Sequence, residues 1–115
     1  MKKLLAACLI TFVSFSAFAA SGGRTGYIDL SDKKMQLLSG TESTSRLIVY
    51  DAKFEGGNCS KNSSGSIFFS DFLAKEMYSM LLTAKASGKR VELIAKDCVA
   101  ISDNTVPKIT SIYLE

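Results

Sequence analysis

Few residues in this sequence have types and spacings that could do chemistry, and the most versatile one is missing. The chain has no histidine. It therefore lacks the usual general base, the Ser–His and Cys–His nucleophile pairs, and the commonest metal ligand. Of its 3 cysteines, Cys8 sits in an apolar N-terminal run. Cys59 and Cys98 lack the Cys-x-x-Cys spacing of a redox pair. Gly56-Gly57 has neither the spacing nor the following Lys-Ser/Thr of a phosphate loop. Carboxylates remain, and pairs of them hydrolyse glycosides. Asp29, Asp51, Glu55, Glu92, Asp97 and Asp103 are available, but no spacing selects two of them, and the plain expectation for each is solvated surface charge. The sequence assigns no catalytic residue, no metal ligand and no cofactor. A chain that is not an enzyme is expected.

The N-terminus addresses the chain for export. Lys2 and Lys3 precede an apolar core from Leu4 to Phe15, and Ala17-Phe18-Ala19 forms a small-x-small cleavage box. Residues 1–19 read as a signal peptide and residues 20–115 as one domain. The apolar stretch is too short to span a bilayer comfortably. Leu5-Ala6-Ala7-Cys8 resembles a lipoprotein box, yet a lipobox should follow its apolar core rather than precede it. Removing 19 of the 115 residues leaves 96, and with Lys2 and Lys3 gone 12 basic residues face 11 acidic ones. That near-neutral balance gives no electrostatic case for nucleic acid or anionic lipid. No membrane insertion is expected after processing, and the location is periplasmic or secreted.

Two cysteines left in an exported domain most often pair. A Cys59–Cys98 bridge would close a loop of about 40 residues, worth roughly 4 kcal/mol in the chain-entropy account. Two free thiols, or half of a metal site shared between chains, are the alternatives.

The elements that would position these residues follow from pattern. Residues 20–25 read as a flexible leader, Tyr27–Leu30 as a strand, residues 31–34 as a turn and Met35–Leu38 as a second strand. Arg46–Phe54 is the clearest early strand. Residues 55–65 form a Gly-, Ser- and Asn-rich loop anchored by Cys59; its two Asn-x-Ser triplets read as ordinary loop residues. Ile67-Phe68-Phe69 is a short strand, with Ser70 and Asp71 as helix caps. A helix is expected from about Phe72 to Ser87, burying Leu73, Met77, Met80, Leu81 and Ala84 and capped by Gly88. Val91, Leu93 and Ala95 alternate along a strand that delivers Cys98. Residues 102–108, with the single proline Pro107, read as a turn, and Ile109–Leu114 as the last strand. The fold class is α+β: a small, mostly antiparallel sheet or an OB-like five-stranded barrel, with one helix and a single disulfide.

The aromatics and charges have simple expectations. Phe68, Phe69 and Phe72 should form core around the helix start, and Met77 with Met80 should be core by spacing. Tyr27, Tyr50, Tyr78 and Tyr113 should pack rather than stack on a ligand. Lys85, Lys89 and Arg90 suit the negative end of the helix dipole.

Residues 80–93 (Met-Leu-Leu-Thr-Ala-Lys-Ala-Ser-Gly-Lys-Arg-Val-Glu-Leu), then Cys98, then Ile109–Leu114, together with Gly57-Asn58-Cys59, resemble a module of small exported bacterial proteins of unassigned function. More remotely the arrangement is similar to B subunits of the subtilase-cytotoxin and typhoid-toxin type. That resemblance implies an OB fold, pentameric assembly and binding of sialylated glycans. Its motifs are structural, so no ligand-binding residue is carried over, and the chain has no Trp. The expected function is an exported, non-catalytic binding domain, an oligomeric subunit taking a glycan or a protein partner, with Arg46–Phe54 or Ile109–Leu114 as the exposed edge for a homo-oligomer contact. The rival is a monomeric periplasmic inhibitor or immunity-type protein.

Overall fold

A computed structural model describes residues 21–115; the expected signal peptide and Cys8 lie outside them. The elements run β1 (Gly23–Asp29), a 3-10 turn (Leu30–Asp32), β2 (Met35–Leu38), β3 (Arg46–Tyr50), β4 (Ser64–Phe68), α1 (Ala74–Ser87), β5 (Arg90–Ile101) and β6 (Asn104–Leu114). The fold is α+β with one helix. Its strands form a single six-stranded sheet in the order β1-β5-β6-β4-β3-β2. All ladders are antiparallel except the short β4–β6 contact at Ser66↔Lys108. Six strands are present, not five, because the short strand before the helix pairs along its length with β3 and joins the sheet; the early chain breaks into β1 and β2 at the 3-10 turn.

That break explains the shape. β1 and β2 lie at opposite edges of the order, yet only residues 30–34 join them. The outer strands of a flat six-stranded sheet would be about 24 Å apart at ~4.8 Å per strand. The joining residues reach at most about 20 Å when fully extended, and the 3-10 turn shortens them. The sheet must curl until its edges approach. One bridge crosses the seam: Arg24 and Glu55 exchange backbone hydrogen bonds, each 2.9 Å.

The core lies inside the curl. Leu47 and Val49 of β3, Ile67 of β4, Val91 and Leu93 of β5 and Ile109 of β6 are fully buried, with Leu30 and Phe54 from the connections. Period-2 alternation sends these residues inward and their neighbours outward. α1 closes the core with Ala74, Leu81 and Ala84; small residues let the helix approach the sheet. No helix among the described residues is long and apolar enough to cross a membrane.

Several expectations need correction. β3 ends at Tyr50 rather than Phe54, because Asp51 adopts φ 58° and turns the chain. β3 lies between β4 and β2, so it is not an exposed edge. Residues 102–108 are not one turn. The turn is only Ser102-Asp103, with Ser102 at φ 55°, and Pro107 lies within β6 opposite Cys98. The leader expected at residues 20–25 is ordered from Gly23 as β1. The loop before β4 ends earlier than expected, at Ser63, because Ser64–Phe68 pairs with β3.

Candidate binding face and the adjoining groove

The register of three strands builds the first surface. Tyr27 pairs with Glu92, and Glu92 pairs with Tyr113. Directly opposed residues project to the same side of a sheet. The three side chains therefore form one row, with the tyrosines about 10 Å apart across two strand spacings. Val91 and Leu93 take the inner face of β5, so the row is on the outer face. Tyr27 is 45% exposed and Tyr113 54% exposed. Both depart from the expected packing role, whereas Tyr50 and Tyr78 are half-buried.

Charges hold the row in place. Arg24 Nε lies 3.0 Å from Glu92 Oε2. Arg90, two residues back along β5 on the same face, binds Glu115 through both guanidinium and carboxylate arms. Its guanidinium carbon also sits 5.8 Å from the centre of the Tyr27 ring. The hydrogen bond from Arg90 pulls the Glu115 carboxyl below its ordinary value and holds Arg90 more firmly in its charged form. Two aromatic faces, two guanidinium groups and two carboxylates thus share one exterior patch.

The second surface adjoins it. Leu73, Glu76, Met77 and Met80 on the helix side face Thr110, Ser111, Ile112 and Tyr113 on β6 across an open groove of about 350 Å³. The helix begins at Ala74, later than the Phe72 start expected from pattern, and its cap residue Leu73 adopts φ 66°. Asp71 does not cap the helix with its side chain; its carboxylate pairs with Lys108 Nζ at 3.3 Å. Leu73 thus falls outside the helix, and the buried face centres on Ala74, Leu81 and Ala84. Met77 packs on the core, but Met80 is 36% exposed, Leu73 52% and Phe72 89%. Phe68 is buried as expected, and Phe69 packs edge-on against Tyr78 at 6.0 Å. The expected core roles of Phe72, Leu73 and Met80 are therefore incorrect: Leu73 and Met80 line the groove, and Phe72 is exposed in the turn before the helix.

The remaining singled-out residues have structural positions. Cys59 and Cys98 are bonded, with Cα atoms 5.5 Å apart. Asp29 accepts the Ser31 amide, which lowers its pKa. Asp51 and Asp103 sit exposed at turns, Asp97 is exposed on β5, and Glu55 meets Arg24 through its backbone. Among the described residues no group of three or more His, Cys, Asp or Glu side chains converges. Lys85 does not serve the helix dipole alone: its ammonium donates to Leu30 O at 2.7 Å and Lys33 O at 2.9 Å.

Sequence reasoning did not select Arg24 or the pairing of the two exposed tyrosines. Alternation reveals which residues share a face within one strand. It does not reveal which strands lie side by side. Comparison with protein-family models, with curated proteins and with solved structures finds no match for this chain.

Proposed function

We propose that this chain is an exported, non-catalytic binding domain that holds a saccharide on the Tyr27–Glu92–Tyr113 face. The observation that carries this reading is the single register row of two half-exposed tyrosines flanking a carboxylate. Aromatic rings offer flat apolar faces to the C–H face of a pyranose, and their hydroxyls stay wet. Glu92, Arg24 and Arg90 supply acceptors and donors for sugar hydroxyls or a sugar carboxylate. The ion pairs already fix these groups, so little side-chain freedom is lost on binding. The connectivity supports the OB-like subunit: with β1 and β2 counted as one bent strand, the order is three strands, a helix and two strands. The Cys59–Cys98 bond supports an oxidising compartment, periplasmic or secreted.

A glycan array tests the reading. The parent is expected to bind a saccharide class. Tyr27→Ala and Tyr113→Ala are each expected to weaken that binding at least about tenfold, the equivalent of one lost contact of ~1.4 kcal/mol. No binding at high protein concentration would sink it. A second reading, a monomeric inhibitor, rests on Phe72, which projects 89% exposed beside the constrained Leu73. Under that reading Phe72→Ser removes activity against the target enzyme. Under the first, Phe72→Ser leaves glycan binding unchanged.

A further inference from the structure

We propose that the groove between α1 and the end of β6 takes an extended segment of another protein as an added strand, one that carries a Lys or Arg among apolar residues. This goes beyond the saccharide reading and does not depend on it.

The backbone fixes the form of the ligand. The Glu115 amide donates to Arg90 O at 2.9 Å. Antiparallel pairs alternate between bonded and non-bonded, so Tyr113 and Ser111 also bond β5, and the backbone groups of Ile112 and Leu114 point the other way. β4 meets β6 only at Ser66↔Lys108 and ends at Phe68, too early to reach them. Among the described residues, no backbone hydrogen bond outside the helix and strand ladders involves Ile112 or Leu114. Proteins usually blunt such an edge with a charge, a proline or a bulge. Residues 110–114 hold no charge and no proline, and the register shifts of the β5–β6 ladder lie further back, between Ile94 and Asp97 of β5. A free, regular edge pairs with an extended chain, whose main chain supplies affinity while alternate side chains enter neighbouring pockets.

The groove wall fixes the side chains. Leu73, Met77 and Met80 stand beside this edge. Side chains of a strand alternate between its faces, so every second residue of an added strand meets that wall. Methionines adapt to apolar groups of varied shape. Glu76 is the one carboxylate lining the groove, and among the described residues it has no ion-pair partner. A basic residue at one wall-facing position pairs with it, and an acidic one is repelled.

A second copy of this chain does not supply such a strand. Its β2 edge is open, but the cations there are engaged: Lys33 Nζ lies 3.5 Å from Asp32 Oδ1, and Lys34 Nζ lies 5.1 Å from the centre of the Tyr50 ring. Its β1 edge is bulged between Arg24 and Tyr27, and Arg24 pairs with Glu92. The charge that matches Glu76 therefore comes from a different chain.

The probe is a phage-displayed library of random linear peptides, panned on the disulfide-intact chain without saccharide. Enriched peptides are expected to alternate apolar residues and to carry one Lys or Arg in step with them. A synthetic copy of an enriched peptide is expected to slow amide exchange at Ile112 and Leu114. It is expected to bind Glu76→Gln about tenfold more weakly, as for loss of one charge pair. Glu76→Lys is expected to reverse the selection, enriching Asp or Glu in place of the basic residue. Circular dichroism confirms that each variant is folded. No enrichment would overturn the proposal. So would peptides that leave exchange at Ile112 and Leu114 unchanged, or selection of the same basic peptides by Glu76→Lys. Protection of those two amides by self-association, without peptide, would give the edge to a second copy and likewise overturn it. Glu76 is no part of the Tyr27–Glu92–Tyr113 row, so its variants leave the glycan array unchanged and the two readings fail separately.

Discussion

Leu73 shows how one residue can be poorly explained by stability and well explained by contact. Its φ of 66° places a branched side chain in the left-handed region, which costs about 1–2 kcal/mol. With 52% of the residue still exposed, burial of the rest returns about 1 kcal/mol. The two terms nearly cancel. Leu73→Asn, which suits that backbone, is expected to leave the unfolding free energy within about 1 kcal/mol of the parent. Leu81→Ala, at a fully buried site, is expected to cost about 2–5 kcal/mol. Urea unfolding of the two variants makes the comparison, and a loss at Leu73 as large as that at Leu81 would give the side chain a core role. Glu115 makes a different prediction. Arg90 holds its carboxyl below the ordinary value of 4.5. A depressed folded value means that the contact is complete above pH 4.5 and fades as pH falls through the lower folded value. An NMR titration should place the Glu115 midpoint below 4.5, and Arg90→Gln should return it toward that value. Glycan binding that uses Arg90 should accordingly be insensitive to pH from neutrality down to the ordinary carboxylate range.

At the scale of elements, the link between β1 and β2 decides how far the sheet can curl, and Lys85 fastens that link to the helix. Its ammonium donates to carbonyls of the link, closely to Leu30 O and Lys33 O and at 3.5 Å to Ser31 O. Charge-assisted hydrogen bonds of this kind contribute about 1.5–3 kcal/mol. Lys85→Met keeps most of the aliphatic stem and removes the donors. It is expected to lower the unfolding free energy by an amount in that range, seen as a lower denaturant midpoint with the slope of the transition unchanged. None of this was legible in advance, because Lys85 in a last helical turn already has a sufficient local reason to be basic. The pattern of the elements themselves was more legible. Leu47 and Val49, and Val91, Leu93 and Ala95, alternate as half-buried strands should, and Gly88 ends the helix with φ 74°. The helix start was not legible, because the cap candidate Asp71 pairs with Lys108, a residue far along the chain. The later start leaves Leu73 outside the helix, and the buried stripe centres on Ala74, Leu81 and Ala84 with Met80 on the groove. The binding face depends on strand neighbours in the same way. Tyr27, Glu92 and Tyr113 become a row only once β1 and β6 flank β5, an order that no local pattern encodes.

Across the whole molecule, one covalent bond ties the chain beyond β3 to the far half of β5. Cys59 follows the loop after β3, and Cys98 lies well along β5, 39 residues later. The same corner holds the start of β1: the Asn58 amide donates to Ser21 O at 2.8 Å, the Ser21 amide donates to Asn58 Oδ1 at 2.9 Å, and the Gly22 amide donates to Ala95 O at 3.1 Å. The backbones meet so closely that a Cβ on Gly57 would lie 2.5 Å from the Gly22 carbonyl carbon. Opening a loop of this length costs about 4 kcal/mol in the chain-entropy account, a large share of the ~5–15 kcal/mol that holds a domain of this size. The Cys59→Ser/Cys98→Ser double variant is therefore expected to melt about 15–30 °C lower than the parent. The loss should be local before it is global. Amide exchange at Gly22 and Arg24 should accelerate more than at Glu92, whose amide belongs to the β5–β6 ladder beyond the bridge. Glu92 and Tyr113 lie about 20 Å along β5 from Cys98 at ~3.4 Å per residue. Saccharide binding at low temperature should therefore survive the double substitution even as thermal stability falls. If exchange instead accelerated equally at Gly22 and Glu92, the bridge would be acting on the whole core at once and not on the seam, and the curl of the sheet would owe less to the link between β1 and β2 than to the bond itself.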